Sequence, residues 1–191
     1  MSPLIVILRI VPLLAFAVTM LLSGTEQRGG AKTRARQSGS DRAPVAANFA
    51  AFGVYVPSLL LFSGSSTGSA ALWLASTGAL LGVAGTAVVL RSRLALGPAW
   101  SFVPRADQDT GLVTTGPYCL VRHPIYFGLL QFAIGEALAF GSWPAVMMVL
   151  FGIAPTFAWR ARAEEKLLAR TFGDRYTAYR QRTKMIIPHV L

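Results

Sequence analysis

The sequence is poor in the residues on which disulfide-linked, metal-binding or soluble proteins depend. It has 1 cysteine, Cys119, among 191 residues, so no disulfide can form within the chain. No cluster of cysteine and histidine has the spacing of a metal site, and we therefore expect no bound metal. Only 14% of the residues are charged, which is too few for the wetted surface of a soluble domain.

Long hydrophobic runs take the place of that charge, and 53% of the residues are hydrophobic. A helix needs about 20 residues to cross a bilayer core of ~30 Å. The charge-free residues 141–143, followed by Pro144 at a helix start, predict a tight hairpin between the last two runs. We predict an all-α fold, a polytopic membrane protein of one domain over residues 1–191, with a cytoplasmic C-terminal helical segment and five transmembrane helices at residues 4–22, 45–62, 70–90, 125–140 and 145–159.

The distribution of charge predicts how the chain lies in the membrane. The 18 Lys and Arg residues exceed the 8 Asp and Glu residues, and the net charge is +10. Apart from Arg9, the basic residues lie within residues 23–43, 91–122 and 160–184, whereas the other connections carry none. Basic loops stay in the cytoplasm and face anionic lipid, so we expect a bilayer and no nucleic acid as partner. The N-terminus is then outside and the C-terminus cytoplasmic, and the Ala/Arg-rich composition favours a bacterial inner membrane.

The first hydrophobic run has two interpretations. A cleaved signal peptide is one, but residues 1–22 lack its basic start and its Ala-x-Ala-like cleavage site. A transmembrane helix is therefore favoured, in which Arg9 extends its long side chain to the outer interface. The basic residues 23–43 that follow are expected to form a loop facing the lipid surface.

Two features inside the predicted spans need an interpretation, namely the glycines of the third span and a glutamate in the fourth. Gly78, Gly82 and Gly85 lie in an apolar helix with no preceding strand, so they predict close helix packing and not a nucleotide-binding loop. Glu136 lies deep in the fourth span, where a carboxylate is costly. A functional role and a structural one, protonated or hydrogen-bonded to a neighbouring helix, are equally compatible with the sequence.

The segment at residues 110–128 departs from what anchoring alone requires. Pro124 is well placed to start the fourth helix, which puts Arg122 and His123 at a helix N-terminus suited to an anionic ligand. Arg122 alone is more typical of a basic interface anchor. Together with Tyr118 and Tyr126, in a loop with glycines and prolines, these residues predict a built pocket.

A second segment, residues 160–168, continues the fifth span out of the membrane. Arg160 and Glu164 are four residues apart, so they share one helical face just above the lipid. A solvated ion pair is the simpler explanation, since such pairs contribute only ~0.3–0.5 kcal/mol. The apolar and aromatic residues that follow predict that the tail folds back over the mouth of the last two spans.

With these residues in place, the sequence resembles the isoprenylcysteine carboxyl methyltransferase family and, more distantly, its relatives that methylate phospholipid amines. The resemblance covers about residues 91–188 and lies in ordered motifs, namely LGPAWS at 96–101, LVTTGPY at 112–118, RHPIYFG at 122–128, EEKLL at 164–168, FGDRYTAY at 172–179 and a late Ile-Pro. Residues 4–90 match only as hydrophobic helices, and larger members carry additional spans there, which leaves the substrate open.

The resemblance implies a helical membrane fold that binds S-adenosylmethionine without a Rossmann domain. Arg160 would contact the substrate, with Arg122 as a second candidate, and a lipophilic substrate would enter from the bilayer while the cofactor enters from the cytoplasm. The implied cofactor residues are Thr110, Gly111, Leu112, Val113, Tyr118, His123, Pro124, Ile125, Tyr126 and Glu164.

The chemistry of methyl transfer leaves the acceptor open. A carboxylate acceptor is already ionised and needs a cation such as Arg160 to hold it, with Glu164 facing the cofactor. An amine or thiol acceptor needs a base, for which Glu164 or Glu165 is the nearby choice. Three functions therefore remain: a methyltransferase for a prenylcysteine-like or other lipidic carboxylate, one for a phospholipid amine or small hydrophobic molecule, and a non-enzymatic helical membrane protein.

Overall fold

The structure is a computed structural model, which describes residues 2–26, 43–64, 68–97 and 111–188. These residues contain no strand beyond one isolated bridge, so the predicted all-α class is confirmed. The helices are α1 (Pro3–Glu26), α2 (Ala43–Leu61), α3 (Gly68–Leu96), α4 (Pro124–Ala139), α5 (Trp143–Met148), α6 (Ala154–Phe172) and α7 (Asp174–Arg182), with a 3₁₀ turn over Gly116–Cys119.

Four stretches of helix are long and apolar enough to cross a membrane, and they are α1, α2, α3 and the continuous helix Trp143–Phe172. The fourth predicted span, α4, has 16 residues and is about 24 Å long, less than the ~30 Å of a bilayer core. Nine of its residues are buried. The polytopic class is therefore confirmed, with four long helices around a short one where five spans were predicted.

The continuous helix Trp143–Phe172 contains a π-helical turn over Val149–Ile153, between α5 and α6. The Ala154 N–H donates to the Val149 carbonyl, five residues back. Pro155 follows directly, and a proline ring clashes with the carbonyl four residues before it in a regular α-helix. The wider π turn relieves that clash, and it rotates all of α6 relative to an uninterrupted helix.

The hairpin between α4 and α5 is confirmed. Gly141 has a φ of +65°, a left-handed conformation that favours glycine, and it turns the chain at the end of α4. The Ser142 hydroxyl accepts a hydrogen bond from the Ala145 N–H at 3.4 Å and so caps α5. It also donates to the Ser58 carbonyl at 2.8 Å, which ties the hairpin to the end of α2.

Glycines on α3 and α4 face one another, so the predicted close packing by glycine is confirmed. A Cβ on Gly78 would lie 2.4 Å from the Gly135 carbonyl oxygen, and one on Gly85 would lie 2.5 Å from the Gly128 oxygen. Real Cβ atoms do not come so close to another atom, so the two backbones can approach each other in this way only at residues without side chains. Gly128 and Gly135, the partners on α4, were not predicted.

This contact predicts opposite effects for the same substitution at two glycines. Gly85→Ala should destabilise the protein by about 1–3 kcal/mol, because the new methyl group must push two helix backbones apart. Gly53→Ala in α2, where a Cβ meets nothing within 4 Å, should be neutral or stabilise by up to ~1 kcal/mol. Thermal unfolding of both variants in detergent measures the difference. Equal shifts for the two variants would contradict the α3–α4 contact.

Arg9 was expected to extend its side chain to the outer interface. It is 8% exposed, and its Nε donates to the Ala139 carbonyl at 2.8 Å, at the end of α4 beside the hairpin. Its guanidinium lies 5.1 Å from the centre of the Phe140 ring. Because the last carbonyls of a helix carry partial negative charge, the C-terminus of α4 satisfies the arginine inside the protein.

The first two helices lie on different parts of the bundle. α1 packs against α3 and α4, whereas α2 packs against α5, the π turn and α6. At the other end of the chain, the tail after α7 returns to the start of α4: Lys184 forms a parallel bridge with Val121, and Ile186 is buried. The predicted folding back of the tail is confirmed.

Candidate functional site

The site is built at the N-terminus of α4. Pro124 occupies the first helical position, as predicted, and His123 precedes it as the N-cap residue. The backbone N–H groups of Arg122 and His123 donate to the Lys184 and Met185 carbonyls at 2.8 and 2.9 Å. The returning tail therefore fixes the backbone of the two residues whose side chains turn towards α6.

Two adjacent carboxylates on α6 receive those side chains. The Arg122 Nε donates to the Glu165 Oε1 at 2.6 Å, and its Nη1 donates to the carbonyls of Thr183 and, at 3.2 Å, Arg180. His123 lies between the carboxylates, with Nδ1 3.5 Å from Glu164 Oε2 and Nε2 3.7 Å from Glu165 Oε1. Burial lowers the pKa of His123, but the two facing carboxylates outweigh it and hold that pKa above its ordinary value.

Glu164 is the centre of a second set of contacts. The Arg160 Nε donates to its Oε1 at 3.1 Å, as the four-residue spacing predicted, and the Tyr126 hydroxyl donates to the same oxygen. The Tyr126 ring stacks on His123 at 5.4 Å and on Phe157 at 4.9 Å between ring centres. The Arg160 guanidinium lies 5.5 Å from the centre of the Tyr126 ring, so aromatic and charged groups alternate through the site.

These groups border a cavity of about 440 Å³, within the range of ~300–1,000 Å³ typical of small-molecule sites. One part of its lining is charged and polar and comes from the start of α4 and from α6. The other part is largely apolar and comes from α1, α2, α3 and α4, with Asn48 of α2 and Arg93 of α3 as polar members. The lining consists of Phe16, Met20, Asn48, Phe49, Phe52, Val89, Arg93, Leu96, Tyr118, Arg122, His123, Ile125, Tyr126, Leu129, Phe132, Phe157, Arg160, Glu164, Leu167 and Leu168.

Most of the predicted site residues meet at this cavity. They are Tyr118, Arg122, His123, Ile125, Tyr126, Arg160 and Glu164. Gly111, Leu112, Val113 and Pro124 do not border it, and Pro124 is buried at the helix start. Thr110 lies outside the described residues, as do the basic residues 27–42.

Among the contributors to the site that the sequence did not assign a specific place are Glu165, Phe157 and Asn48. Glu165 was considered only as a base, yet it is paired with Arg122 and is 9% exposed. Phe157 and Asn48 come from parts of the chain that looked like plain transmembrane helix. The polar asparagine within the apolar run at residues 45–62 is the one signal that pointed to it.

Arg122 has a structural part in this arrangement. Its Nε and Nη1 are engaged by Glu165 and by two tail carbonyls, and Tyr179 adds a hydrogen bond to the Tyr118 carbonyl at 2.7 Å. The arginine predicted as a second substrate contact therefore joins the start of α4 to α6 and the tail. Arg160, whose Nε reaches only one turn along its own helix, borders the cavity directly.

The chain is similar to a methyltransferase family and to several curated methyltransferases. The sequence model of the phospholipid methyltransferase family matches residues 73–175, more than half of the chain. The chain is 33% identical over 84 residues to a protein-S-isoprenylcysteine O-methyltransferase of Schizosaccharomyces pombe. It is 33% identical over 86 residues to the protein of that name in Saccharomyces cerevisiae and 28% identical over 120 residues to that of Mus musculus.

The alignments cover 44%, 45% and 62% of this chain, and 36%, 36% and 42% of these three relatives in the same order. The chain therefore spans about two fifths of the length of the relatives that it matches. The resemblance stated from the motifs is confirmed.

Proposed function

The chain belongs to the phospholipid methyltransferase family, and from this premise we propose that it is a membrane methyltransferase that uses S-adenosylmethionine. Its acceptor in this proposal is the carboxylate of a lipidic, prenylcysteine-like molecule, the chemistry that the names of its relatives describe. The observation that carries the proposal is the cavity that joins a buried charged cluster to an apolar lining from the membrane helices.

The residues at the charged end suit S-adenosylmethionine. Among the described residues Glu164 is the one carboxylate that borders the cavity, and the rings of Tyr118 and Tyr126 lie beside it. A carboxylate and aromatic faces both attract a sulfonium cation. His123 Nε2 is buried and has no hydrogen-bond partner among the described residues, since the Glu165 oxygen at 3.7 Å is too distant. It can serve a polar group of the cofactor.

The site supports a carboxylate acceptor better than an amine. S-adenosylmethionine supplies, when bound, a methyl group whose bond to sulfur breaks as the carboxylate oxygen forms its bond to carbon, with the electron pair left on a neutral sulfur. No proton moves, so Arg160 needs only to hold and orient the carboxylate. An amine would need a base, but Glu164 accepts hydrogen bonds from Arg160 and Tyr126, which make its carboxylate a poor proton acceptor.

Access for a lipid lies between the first two helices. Phe16 and Met20 of α1 and Phe49 of α2 all border the cavity, although α1 and α2 pack on different parts of the bundle. Phe49 is 70% exposed on the outer surface of the bundle. A lipid chain in the bilayer can therefore reach the apolar end of the cavity sideways, while the charged end faces the side on which the tail lies.

We place that tail in the cytoplasm, with the N-terminus outside, in a bacterial inner membrane. The basic residues of α6 and α7 and the loops before α2 and α4 support this orientation, because basic segments remain on the cytoplasmic side. Methylation of a phospholipid amine is the second candidate function, favoured by the name of the matched family.

Binding and turnover test the proposal separately. The purified protein in detergent should bind S-adenosylhomocysteine in a calorimetric titration, with a measurable heat and a stoichiometry near one. A panel of acceptors with radiolabelled S-adenosylmethionine should then show label in base-labile ester with N-acetyl-S-farnesylcysteine, and none in phosphatidylethanolamine. Label in the amine alone would favour the second candidate, and no binding of either cofactor form would overturn both.

A further inference from the structure

The apolar end of the cavity contains one polar side chain from α2, that of Asn48, which is 5% exposed. Its Nδ2 donates to the Thr156 Oγ1 at 2.6 Å. The hydrogen of that hydroxyl is used elsewhere, because Thr156 Oγ1 donates to the Ile153 carbonyl at 2.8 Å. Oγ1 can therefore only accept from Asn48, which fixes the amide with its NH₂ towards α6 and its oxygen Oδ1 away from it.

This orientation leaves a buried acceptor without a donor. Among the residues that the structure describes, Asn48 Oδ1 makes no hydrogen bond, although the atom is buried. A buried polar atom that has lost water without gaining a partner is unfavourable, and native proteins keep such atoms mainly where a ligand or water completes them. The neighbouring cavity residues Phe49 and Phe52 offer no donor from their side chains.

The partner of Asn48 lies on the same face of α6 as the residues of the proposed reaction. That partner, Thr156, is four residues before Arg160, and Arg160 is four residues before Glu164. Residues spaced by four lie on one face of a helix, with Cβ atoms about 6 Å apart. The face of α6 towards the cavity therefore places the Asn48 amide, the Arg160 guanidinium and the Glu164 carboxylate in sequence from the apolar end to the charged end.

We propose that Asn48 is a specificity-determining residue whose Oδ1 accepts a hydrogen bond from an uncharged N–H or O–H of the methyl acceptor. The inference rests on the proposed function, since it takes Arg160 as the site of the acceptor carboxylate. The acceptor is then a lipidic carboxylate that also carries an uncharged hydrogen-bond donor close to its carboxylate, such as the amide N–H of an N-acylated amino acid. A neutral donor fits because an ammonium group would need a carboxylate that the described apolar lining does not contain.

The test compares two acceptors that differ by one donor, N-acetyl-S-farnesylcysteine and the same molecule methylated at its amide nitrogen. The wild-type protein should prefer the N–H acceptor by about 10- to 100-fold in kcat/KM, since the methylated one leaves Oδ1 unpaired. Asn48→Leu, which keeps the volume and removes the amide, should use both acceptors equally. It leaves the Thr156 bond to the Ile153 carbonyl in place, so no donor of the protein becomes orphaned.

Ser58→Ala is the matched control. Ser58 is a buried polar residue of the same helix that donates to the Tyr55 carbonyl and does not border the cavity, so its loss should leave the preference unchanged. Equal use of the two acceptors by the wild type, or a preference that survives in Asn48→Leu, would overturn the role of Asn48.

Acceptor affinities, measured in the presence of S-adenosylhomocysteine, separate this inference from the proposed function. In one outcome the wild type binds the N–H acceptor more tightly than the methylated one, while Asn48→Leu binds both equally and no ester forms. In that case Asn48 accepts the hydrogen bond from the acceptor as inferred, and only the proposed reaction fails. If neither acceptor binds, both fail.

Discussion

Replacing Arg160 by alanine should lower the rate of carboxyl methylation by about 30- to 1000-fold, which corresponds to about 2–4 kcal/mol of transition-state stabilisation. The guanidinium borders the cavity one turn from Glu164 and 5.5 Å from the centre of the Tyr126 ring. A carboxylate held there loses a charge-assisted contact in a partly desolvated site when the side chain is removed. Affinity for S-adenosylhomocysteine should change little, because in this assignment Arg160 holds the carboxylate of the acceptor and not a group of the cofactor.

Two further variants make the assignment specific. Arg160→Lys should restore only part of the rate, since an ammonium keeps the charge but cannot present two parallel N–H groups to a carboxylate. Arg162→Ala removes an exposed arginine of the same helix two residues away, on another face, and should keep the wild-type rate. The measurement is turnover with a saturating lipidic carboxylate in detergent.

A purely structural Arg160–Glu164 pair predicts a different result. The two side chains are 14% and 18% exposed, so loss of one partner leaves a mostly buried charge and should lower stability by about 3–5 kcal/mol without a selective loss of turnover. Wild-type turnover in Arg160→Ala would remove this residue from the acceptor site.

The parts of the site that the sequence predicted are those in which neighbours along the chain are also neighbours in space. Pro124 defines a helix start, so the position of His123 before it follows from local rules. The spacing of Arg160 and Glu164 likewise fixes a common face, and the structure gives the expected hydrogen bond at 3.1 Å. Helix periodicity and proline placement are short-range properties that need no knowledge of the rest of the fold.

The parts that the sequence did not predict depend on contacts between distant segments. Asn48 and Thr156 are 108 residues apart, and nothing local to either indicates that α2 packs on α6. The π turn before Pro155 adds to the difficulty, since it shifts the phase of every later residue on that helix. A regular helical wheel would therefore give the wrong inward face for Phe157 and the residues after it.

The glycines of α3 predict close helix packing but do not identify the helix that packs there. Three glycines on α3 indicated a close approach, but small residues show only that some helix packs there. Gly128 and Gly135 on α4 are seven residues apart, like Gly78 and Gly85, and this equal spacing is what allows the two pairs to meet. The equal spacing of glycines on two segments is a signal that the sequence contains, and it becomes visible only when α3 and α4 are compared with each other.

Glu164→Gln should weaken S-adenosylmethionine more than S-adenosylhomocysteine, by about 10- to 100-fold in the ratio of their dissociation constants. The two ligands differ by the methyl group and by the positive charge on sulfur, so only the charged one gains from a carboxylate. Glu164 is the carboxylate that borders the cavity among the described residues, and its hydrogen bonds from Arg160 and Tyr126 keep it ionised and in place. Competition titrations of both ligands give the ratio.

The adjacent carboxylate provides the matched control. Glu165 makes its contacts with Arg122 and His123 and does not border the cavity, so Glu165→Gln should loosen the tail and weaken both ligands by the same factor. His123→Ala should also weaken S-adenosylhomocysteine, because it removes the buried Nε2 that a polar group of either ligand can use. The ratio of dissociation constants therefore distinguishes a charge that faces the sulfonium from residues that only shape the pocket. An unchanged ratio in Glu164→Gln would place the sulfonium elsewhere and reduce Glu164 to a partner of Arg160 and His123.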